Sequence, residues 1–330
     1  MNLENGMENG LLAAIMVVGD THFKCDNYGG HVNYGKEVLY YERKLNEIAR
    51  EKRVTHYIST GDLTYGKFNK LEYRQMVDCI FDERNTIVGG NFYMVKGNHD
   101  KASYGKTEYE YYLEKNTFKG SCSLDIGIER QYGGLHIQMN DFGDMSEFNA
   151  VNGAVNILIT HGYFTFKNAE LPYYGKSECL LDTYSPWIGA DLILAGHIHE
   201  EHLIRGKIMG KEIGVHYLPC LSRPALHANI MTESGNVDII YVDTEGNVTI
   251  EMVPVELLPV EQCFRLEALK RNAQEDANDL KYDKIDFSDI VKRLAGYEKA
   301  FGDPIERVRA LENVPDVCKE RAIDWLMRTM

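Results

Sequence analysis

Short apolar runs, each followed by a polar or glycine-rich turn, recur through the first two thirds of the chain. Their length and their content of valine, isoleucine and tyrosine predict buried β-strands. Residues 36–52 and 70–83 instead place apolar side chains at helical spacing, which predicts two amphipathic helices. The predicted strands lie at residues 13–18, 54–60, 91–95, 155–160 and 191–195, so the chain begins with a β-α-β-α-β order.

The pattern becomes richer in strands after about residue 203. Residues 212–218 predict one strand, and residues 236–255 predict a β-hairpin that turns near Glu245-Gly246-Asn247. We therefore expect two packed sheets in a domain of the α/β (α+β) class. After Pro254 the pattern changes to amphipathic helical stretches. This change predicts two domains, a main domain at residues 1–256 and a small helical C-terminal appendage at residues 257–330.

The composition fits a large globular core and restricts the partners. The chain has 330 residues, of which 44% are hydrophobic, and its formal net charge is −14. This charge argues against a broad basic face that coats nucleic acid. It does not exclude nucleic acid as a substrate, because bound cations neutralise acidic ligands inside a cleft.

Neither a membrane segment nor a disulfide framework is expected. The apolar run at residues 11–18 is too short to cross a bilayer, and Glu4 and Glu8 stand where a signal peptide carries basic residues. The seven cysteines are widely scattered and form no CxxC pair. We therefore expect a cytoplasmic protein without membrane contact.

Polar, metal-capable side chains follow the end of every one of the five predicted strands. In a sheet of this type the carboxyl ends of neighbouring strands meet at one crevice, so these residues are expected to converge. Each motif alone is weak, because a histidine beside a strand is usually structural, but their joint occurrence in order is a strong signal. The residues are Asp20 and His22, then Asp62, then Asn98, His99 and Asp100, then His161, and finally His197 and His199.

The types of candidate ligand restrict the choice of metal ion. Carboxylate, amide and imidazole groups without a thiolate suit Mn²⁺, Fe²⁺ or Zn²⁺ better than Mg²⁺. The candidate ligands are too many for one ion, whereas two ions about 3.5–4 Å apart would use them all. We expect two divalent ions, with Mn²⁺ as the first choice and Fe²⁺ or Zn²⁺ as alternatives.

The series GDxH, GDxxxxG, GNHD, H and GHxH resembles that of the calcineurin-like metallophosphoesterases, over roughly residues 13–255. The resemblance implies a four-layer α/β/β/α sandwich of two mixed sheets. It also implies a metal-dependent phosphoesterase in which a hydroxide that bridges the ions attacks the phosphorus. By the same resemblance, one metal is held by Asp20, His22, Asp62 and His199, and the other by Asp62, Asn98, His161 and His197, with Asp62 as the bridge.

His99 and Asp100 receive different roles from the resemblance. His99 is not a metal ligand in this scheme and is the residue that approaches the leaving oxygen, as a general acid or as a charge stabiliser. Asp100 would fix the tautomer of His99 through a hydrogen bond.

The branch of the family decides the substrate. The second motif lacks the arginine of GDxxDRG that protein phosphatases carry, and the third motif ends in Asp100 rather than glutamate. The chain is similar in length and arrangement to the SbcD-like DNA-repair nucleases, which implies a nucleic-acid phosphodiester substrate and either a partner ATPase or a homo-oligomer. It departs from that branch at Thr64-Tyr65 and at His161-Gly162.

Two alternatives stay open beside the nuclease. One is a phosphodiesterase or phosphatase that acts on small molecules or cyclic nucleotides, enzymes that tolerate the departures above. The other is a non-catalytic scaffold that kept the fold, which predicts eroded ligand positions. In this chain all the ligand positions are intact.

Overall fold

The computed structural model describes residues 10–25, 31–64, 69–101, 105–128, 133–167, 179–222 and 234–265. The chain divides into two compact units, Met1–Arg265 and Leu266–Met330. The predicted helical appendage at 257–330 lies, beyond residue 265, outside the described residues. The predicted division at residue 256 therefore stays a prediction.

The described part of the first unit contains thirteen strands and four helices, together with 3₁₀ turns at Leu181–Thr183 and Ser185–Trp187. In chain order they are β1 (Leu11–Val18), α1 (Tyr34–Glu51), β2 (His56–Ser59), α2 (Leu71–Ile87), β3 (Phe92–Met94), α3 (Glu108–Glu114), β4 (Ser123–Ile126), β5 (Leu135–Asn140), β6 (Val155–His161), β7 (Phe164–Thr165), β8 (Cys179–Leu180), β9 (Leu192–Gly196), β10 (His202–Ile208), β11 (Lys211–Tyr217), β12 (Ser234–Asp243), β13 (Val248–Glu256) and α4 (Val260–Cys263).

These strands form two mixed sheets and one short pair. The five-stranded sheet has the order β13-β12-β1-β2-β3, in which β1, β2 and β3 are parallel and β12 and β13 are antiparallel to their neighbours. The six-stranded sheet has the order β10-β11-β9-β6-β5-β4, with β11, β9, β6 and β5 parallel. Two mixed sheets confirm the predicted fold class.

Strands in the middle of both sheets are apolar throughout because both of their faces are buried. On β9, Leu194 packs into the core between the two sheets, whereas Ile193 and Ala195 pack into the core on the outer side of the six-stranded sheet. That outer core is closed by aromatic side chains from loops and 3₁₀ turns, with Trp187 fully buried at its centre.

Helices α1, α2 and α3 cover the outer face of the five-stranded sheet. Leu45 and Phe81 are buried in this core, together with Tyr57 from β2. The helix starts are set locally: the side chain of Asn33 caps α1 by accepting a hydrogen bond from the Lys36 amide, and a capping box at Thr107 begins α3. Among the described residues, no helix has the length and apolar character needed to span a bilayer.

The five motif-bearing strands are divided between the two sheets. The parallel strands β1, β2 and β3 belong to one sheet, and the parallel strands β6 and β9 belong to the other. Their polar extensions nevertheless contact one another, as the distances below show. The expected convergence is therefore correct, but it occurs across two packed sheets rather than along the edge of one.

Candidate metal centre

Six of the predicted ligands gather in two groups, each with one carboxylate and two imidazoles. The first group is Asp20, His22 and His199, and the second group is Asp62, His161 and His197. Within each group the potential ligand atoms all lie within 4.8 Å of one another. Each group could therefore hold one metal ion.

In the first group two imidazole nitrogens approach each other closely. His22 Nε2 lies 3.0 Å from His199 Nε2, and His199 Nε2 lies 3.6 Å from Asp20 Oδ2. Two nitrogens bound to the same ion at about 2.1 Å would be separated by roughly 3 Å. The spacing of the first group thus fits a shared cation.

In the second group the ligand atoms surround the side-chain oxygen of Asn98. Asn98 Oδ1 lies 2.9 Å from His161 Nε2 and 2.9 Å from His197 Nδ1. The other ring nitrogen of His161 donates to the Thr60 carbonyl oxygen at 3.0 Å, because a carbonyl can only accept. That bond directs Nε2 of His161 toward the group, which is the usual arrangement for a metal-ligating histidine.

Asp62 stands between the two groups. Its Oδ2 lies 3.3 Å from His161 Nε2 and 3.8 Å from His22 Nε2, and this buried oxygen accepts no well-formed hydrogen bond. Its Oδ1 accepts the backbone N–H of His99 at 2.8 Å. A buried carboxylate oxygen that lies within 4 Å of an imidazole from each group fits a pair of cations. The bridging role of Asp62 stays a prediction.

Three of the six candidate ligands adopt a backbone conformation that residues with a side chain rarely take. The φ angles are 52° for His22, 50° for Asp62 and 90° for His197. Residues in this left-handed region carry strain that the surrounding structure must offset, and such residues cluster at functional sites. The turns after β1, β2 and β9 therefore hold their ligands at some conformational cost.

Two motif glycines leave the space that the carboxylates occupy. A Cβ atom on Gly97 would lie 2.0 Å from Asp62 Oδ1, and a Cβ atom on Gly196 would lie 2.3 Å from Asp20 Oδ1. Both distances are far inside van der Waals contact. The glycines of GNHD and GHxH are thus required by close packing against the carboxylates of Asp62 and Asp20.

Burial and neighbouring charges keep two of the imidazoles unprotonated. Burial lowers the pKa of His197 and of His199 to about 4 each, so both are neutral at pH 7 and can donate a lone pair to a metal. Burial also lowers the pKa of His22, with a further contribution from the nearby His199.

The carboxylates act on His161 in the opposite direction. Burial alone would lower the pKa of His161, but Asp20 and Asp62 outweigh it and raise this pKa to about 9. Burial would raise the pKa of Asp62, but His161 overcomes this effect and the net shift is downward. A metal that binds His161 must therefore displace a proton.

His99 lies beside the ligands and outside both groups. Its ring centroid is 5.3 Å from that of His22, and its side chain is only half-buried. This position agrees with a residue that faces a substrate rather than an ion. The proposed acid role itself stays a prediction.

Asp100 has a structural function that its motif did not reveal. Its carboxylate is fully buried and accepts backbone N–H groups from Gly97 at 2.9 Å, Leu63 at 3.2 Å and Thr64 at 3.2 Å. It therefore ties the turn after β3 to the turn after β2. Burial, with the charge of Asp62, raises its pKa to about 7. The predicted hydrogen bond to the His99 ring stays a prediction.

Phe142 contacts the site and was not identified from the sequence. Its ring centroid lies 6.0 Å from that of His161 and 6.2 Å from that of His197. It belongs to the connection between β5 and β6, and an aromatic residue in a polar loop carries no signal of this role. Only the tertiary structure brings it to the second group.

Two packed mixed sheets with two carboxylate–imidazole groups at their strand ends form the architecture of a metallophosphoesterase. A family model described as calcineurin-like phosphoesterase matches residues 13–201. The chain belongs to this family, and membership indicates a metal-dependent hydrolase. No curated protein matches the chain.

Proposed function

We propose that the protein hydrolyses phosphodiester bonds of nucleic acids with the help of two divalent metal ions, Mn²⁺ in the first place. The observation that carries the proposal is the pair of ligand groups with Asp62 between them. Two adjacent cations are an arrangement that phosphatases and nucleases use to stabilise both the attacking and the leaving oxygen.

The candidate ligands form two sets, one for each ion. The first group would hold one ion, and the second group together with Asn98 would hold the other, with Asp62 shared. When bound, the ions supply positive charge that activates water and stabilises the negative charge that develops on the phosphoryl oxygens. The protein side chains fix where the phosphoryl group is placed.

His99 is the group that acts on the leaving oxygen in this proposal. Its backbone N–H is anchored on Asp62 Oδ1, so the position of its ring is tied to the position of the shared carboxylate. From the partly exposed side of the site, the His99 side chain would act as a general acid that gives a proton to the alkoxide as it leaves.

The choice of a polymer substrate is supported by the sequence arrangement. The helix before the second motif, now α1, and the hairpin after GHxH, now β12 and β13, follow the order of SbcD-like nucleases. In that setting the proposal extends to a cytoplasmic protein with a partner ATPase or a homo-oligomer. The departure at His161-Gly162 favours a second candidate, hydrolysis of cyclic nucleotides or other small phosphodiesters.

A parallel substrate assay separates these candidates. Purified protein with Mn²⁺ is offered single-stranded DNA, duplex DNA, RNA, cyclic nucleotides and p-nitrophenyl phosphate esters, and His197→Ala serves as the inactive control. Cleavage of polymers without cleavage of cyclic nucleotides supports the nuclease. The reverse result supports the small-molecule enzyme, and no hydrolysis of any ester would contradict both.

A further inference from the structure

We propose that Phe142 and Lys101 form a clamp that positions His197, so that metal binding at the second group depends on the loop at residues 141–149. The inference rests on the two-metal centre of the proposed function. It adds a positioning role for two residues that the motif series does not contain.

The ring of Phe142 packs on both imidazoles of the second group. Its plane is inclined by 74° to that of His161, an edge contact, and by 34° to that of His197. His161 is fully buried, whereas His197 is half-exposed and starts from a strained backbone with φ of 90°. An aromatic neighbour therefore matters most for the orientation of His197.

Lys101 contacts both the ring and the backbone of Phe142. Its ammonium lies 4.5 Å from the centroid of the Phe142 ring and donates a hydrogen bond to the Phe142 carbonyl oxygen at 3.0 Å. Lys101 directly follows the GNHD motif, so this contact joins the turn that carries Asn98 to the loop that carries Phe142.

Two further hydrogen bonds join the same two segments. The backbone N–H of Phe142 donates to the Lys96 carbonyl oxygen at 2.8 Å, and the backbone N–H of Lys96 donates to Asp141 Oδ1 at 2.8 Å. Ser121 donates to the same Asp141 oxygen at 2.6 Å. The position of Phe142 is therefore fixed by backbone contacts and not only by its ring.

The far end of the loop is anchored on buried amides of β5. Gln138 donates to the Glu147 carbonyl oxygen at 3.0 Å and accepts the Asn149 N–H at 3.0 Å. Asn140 donates to the Asp144 carbonyl oxygen at 3.4 Å. Both amides are buried on a strand where apolar residues would otherwise pack, which is consistent with a loop held in one shape.

The test measures metal binding without substrate. Metal-free wild-type protein is titrated with Mn²⁺ while free Mn²⁺ is followed by electron paramagnetic resonance, and Phe142→Ala is compared with Phe142→Tyr. Loss of an outer partner of a ligand typically weakens metal affinity about 10–100-fold. We expect Phe142→Ala to weaken the binding of one ion by this factor, whereas Phe142→Tyr should bind that ion with wild-type affinity. The affinity for the other ion should be unchanged in both variants.

Two more variants control for folding. Lys101→Met removes the ammonium from an exposed residue and should weaken the binding of the same ion by a smaller factor. This variant keeps the test valid if Phe142→Ala does not fold. Lys119→Met removes a matched ammonium, which lies 5.0 Å from the centroid of the Tyr93 ring and outside the loop at residues 141–149, and should leave both affinities unchanged.

The outcomes separate this inference from the proposed function. The clamp would be overturned if Phe142→Ala and Lys101→Met bind both ions with wild-type affinity. It would also be overturned if these substitutions weaken the binding of both ions equally. If the affinity shift appears but no phosphoester is hydrolysed, the clamp stands and the proposed function fails. Excess Mn²⁺ should also restore turnover in Phe142→Ala, which a general loss of structure would not permit.

Discussion

The first group (Asp20, His22, His199) and the second group (Asp62, His161, His197) have the same composition, and in each one imidazole is fully buried while the other faces the open side. The pKa values of the two fully buried imidazoles, His22 and His161, shift in opposite directions. The pKa of the buried His22 is lowered by burial and by His199, whereas that of the buried His161 is raised to about 9 because Asp20 and Asp62 overcome burial.

The comparison shows that ligand chemistry alone does not fix how a metal group behaves. The first group can bind a cation without losing a proton from a histidine, whereas the second group must release one from His161. The second group also depends on packing with Phe142. We therefore expect the second ion to be the more sensitive of the two to pH and to mutation.

Among variants that should keep both metals, the largest effect is expected from His99, the residue outside both groups. His99→Ala should slow hydrolysis of esters with alkoxide leaving groups by about 10²–10⁴-fold, because the proton donor is lost while both metals are retained. Esters of p-nitrophenol should be affected much less, since this leaving group needs no protonation. Steady-state rates on the two ester types, with metal content measured on the same samples, check the prediction.

His197→Ala is the matched comparison for that experiment. It should lose one metal and fail on both ester types alike. If His99→Ala instead loses a metal, or slows both esters equally, then His99 is a ligand or a structural residue.

Substitution of the motif glycines should have different effects on the two groups, because Gly196 packs against Asp20 of the first group, whereas Gly97 packs against Asp62, which both ions would share. In Gly97→Ala the new methyl group would displace Asp62, and in Gly196→Ala it would displace Asp20, because each would lie within 2.3 Å of a carboxylate oxygen. We expect metal affinity to fall about 10–100-fold. Calorimetric titration with Mn²⁺ measures this change.

Gly214→Ala on β11 provides the control, since its new methyl group would meet Leu192 at an ordinary 3.4 Å. Wild-type affinity in both motif variants would mean that the carboxylates can move without loss of the ions.

The smallest effect concerns the stability of the metal-free protein. The folded pKa of His161, about 9, exceeds the ordinary value of 6.5, so its contribution to stability is fully present below pH 6.5 and is lost as the pH rises through 9. The pKa of His199, about 4, is below 6.5, so its contribution is present above pH 6.5 and is lost as the pH falls through 4.

Urea unfolding of the chelated protein between pH 4 and pH 10 separates these contributions. His161→Gln should flatten the alkaline side of the stability profile by about 3 kcal/mol, because its pKa rises from 6.5 to about 9. His199→Gln should flatten the acid side by less, because its side chain is 33% exposed and solvent screens its interactions. The account of the proton difference fails if both variants flatten the same side.

The sequence was sufficient for the elements that carry periodic or motif signals. The predicted helices at 36–52 and 70–83 correspond to α1 and α2, and the predicted hairpin corresponds to β12 and β13 with a turn at 244–247. The candidate ligand residues could be singled out because five strand ends share one chemistry, and the potential ligand atoms of six of them lie close together in two groups. These signals are local, and each can be read within a few residues.

The remaining features depend on contacts between distant segments. The strand β4 has only four residues, of which two are apolar, Leu124 and Ile126, and such a short alternation does not stand out in the sequence, so it was not predicted. The structural use of Asp100 and the contacts of Phe142 arise only when turns from different strands meet. Likewise, the pKa values of His22 and His161 shift in opposite directions because of where two carboxylates lie in space. The spacing of residues along the sequence does not reveal these positions.

The central claim is that Asp62 is shared by two metal ions, and one measurement tests it most directly. Metal content is determined by mass spectrometry for wild-type protein, Asp62→Asn and the surface control Asp82→Asn, together with turnover on the best substrate. The account predicts two ions per chain in the wild type and the control, and loss of both ions from Asp62→Asn. Removal of one electrostatic stabiliser typically lowers the turnover rate by roughly 10²–10³-fold. The turnover rate of Asp62→Asn should fall by more than this. Asp62→Asn that keeps two ions, loses only one, or retains full turnover would contradict the account.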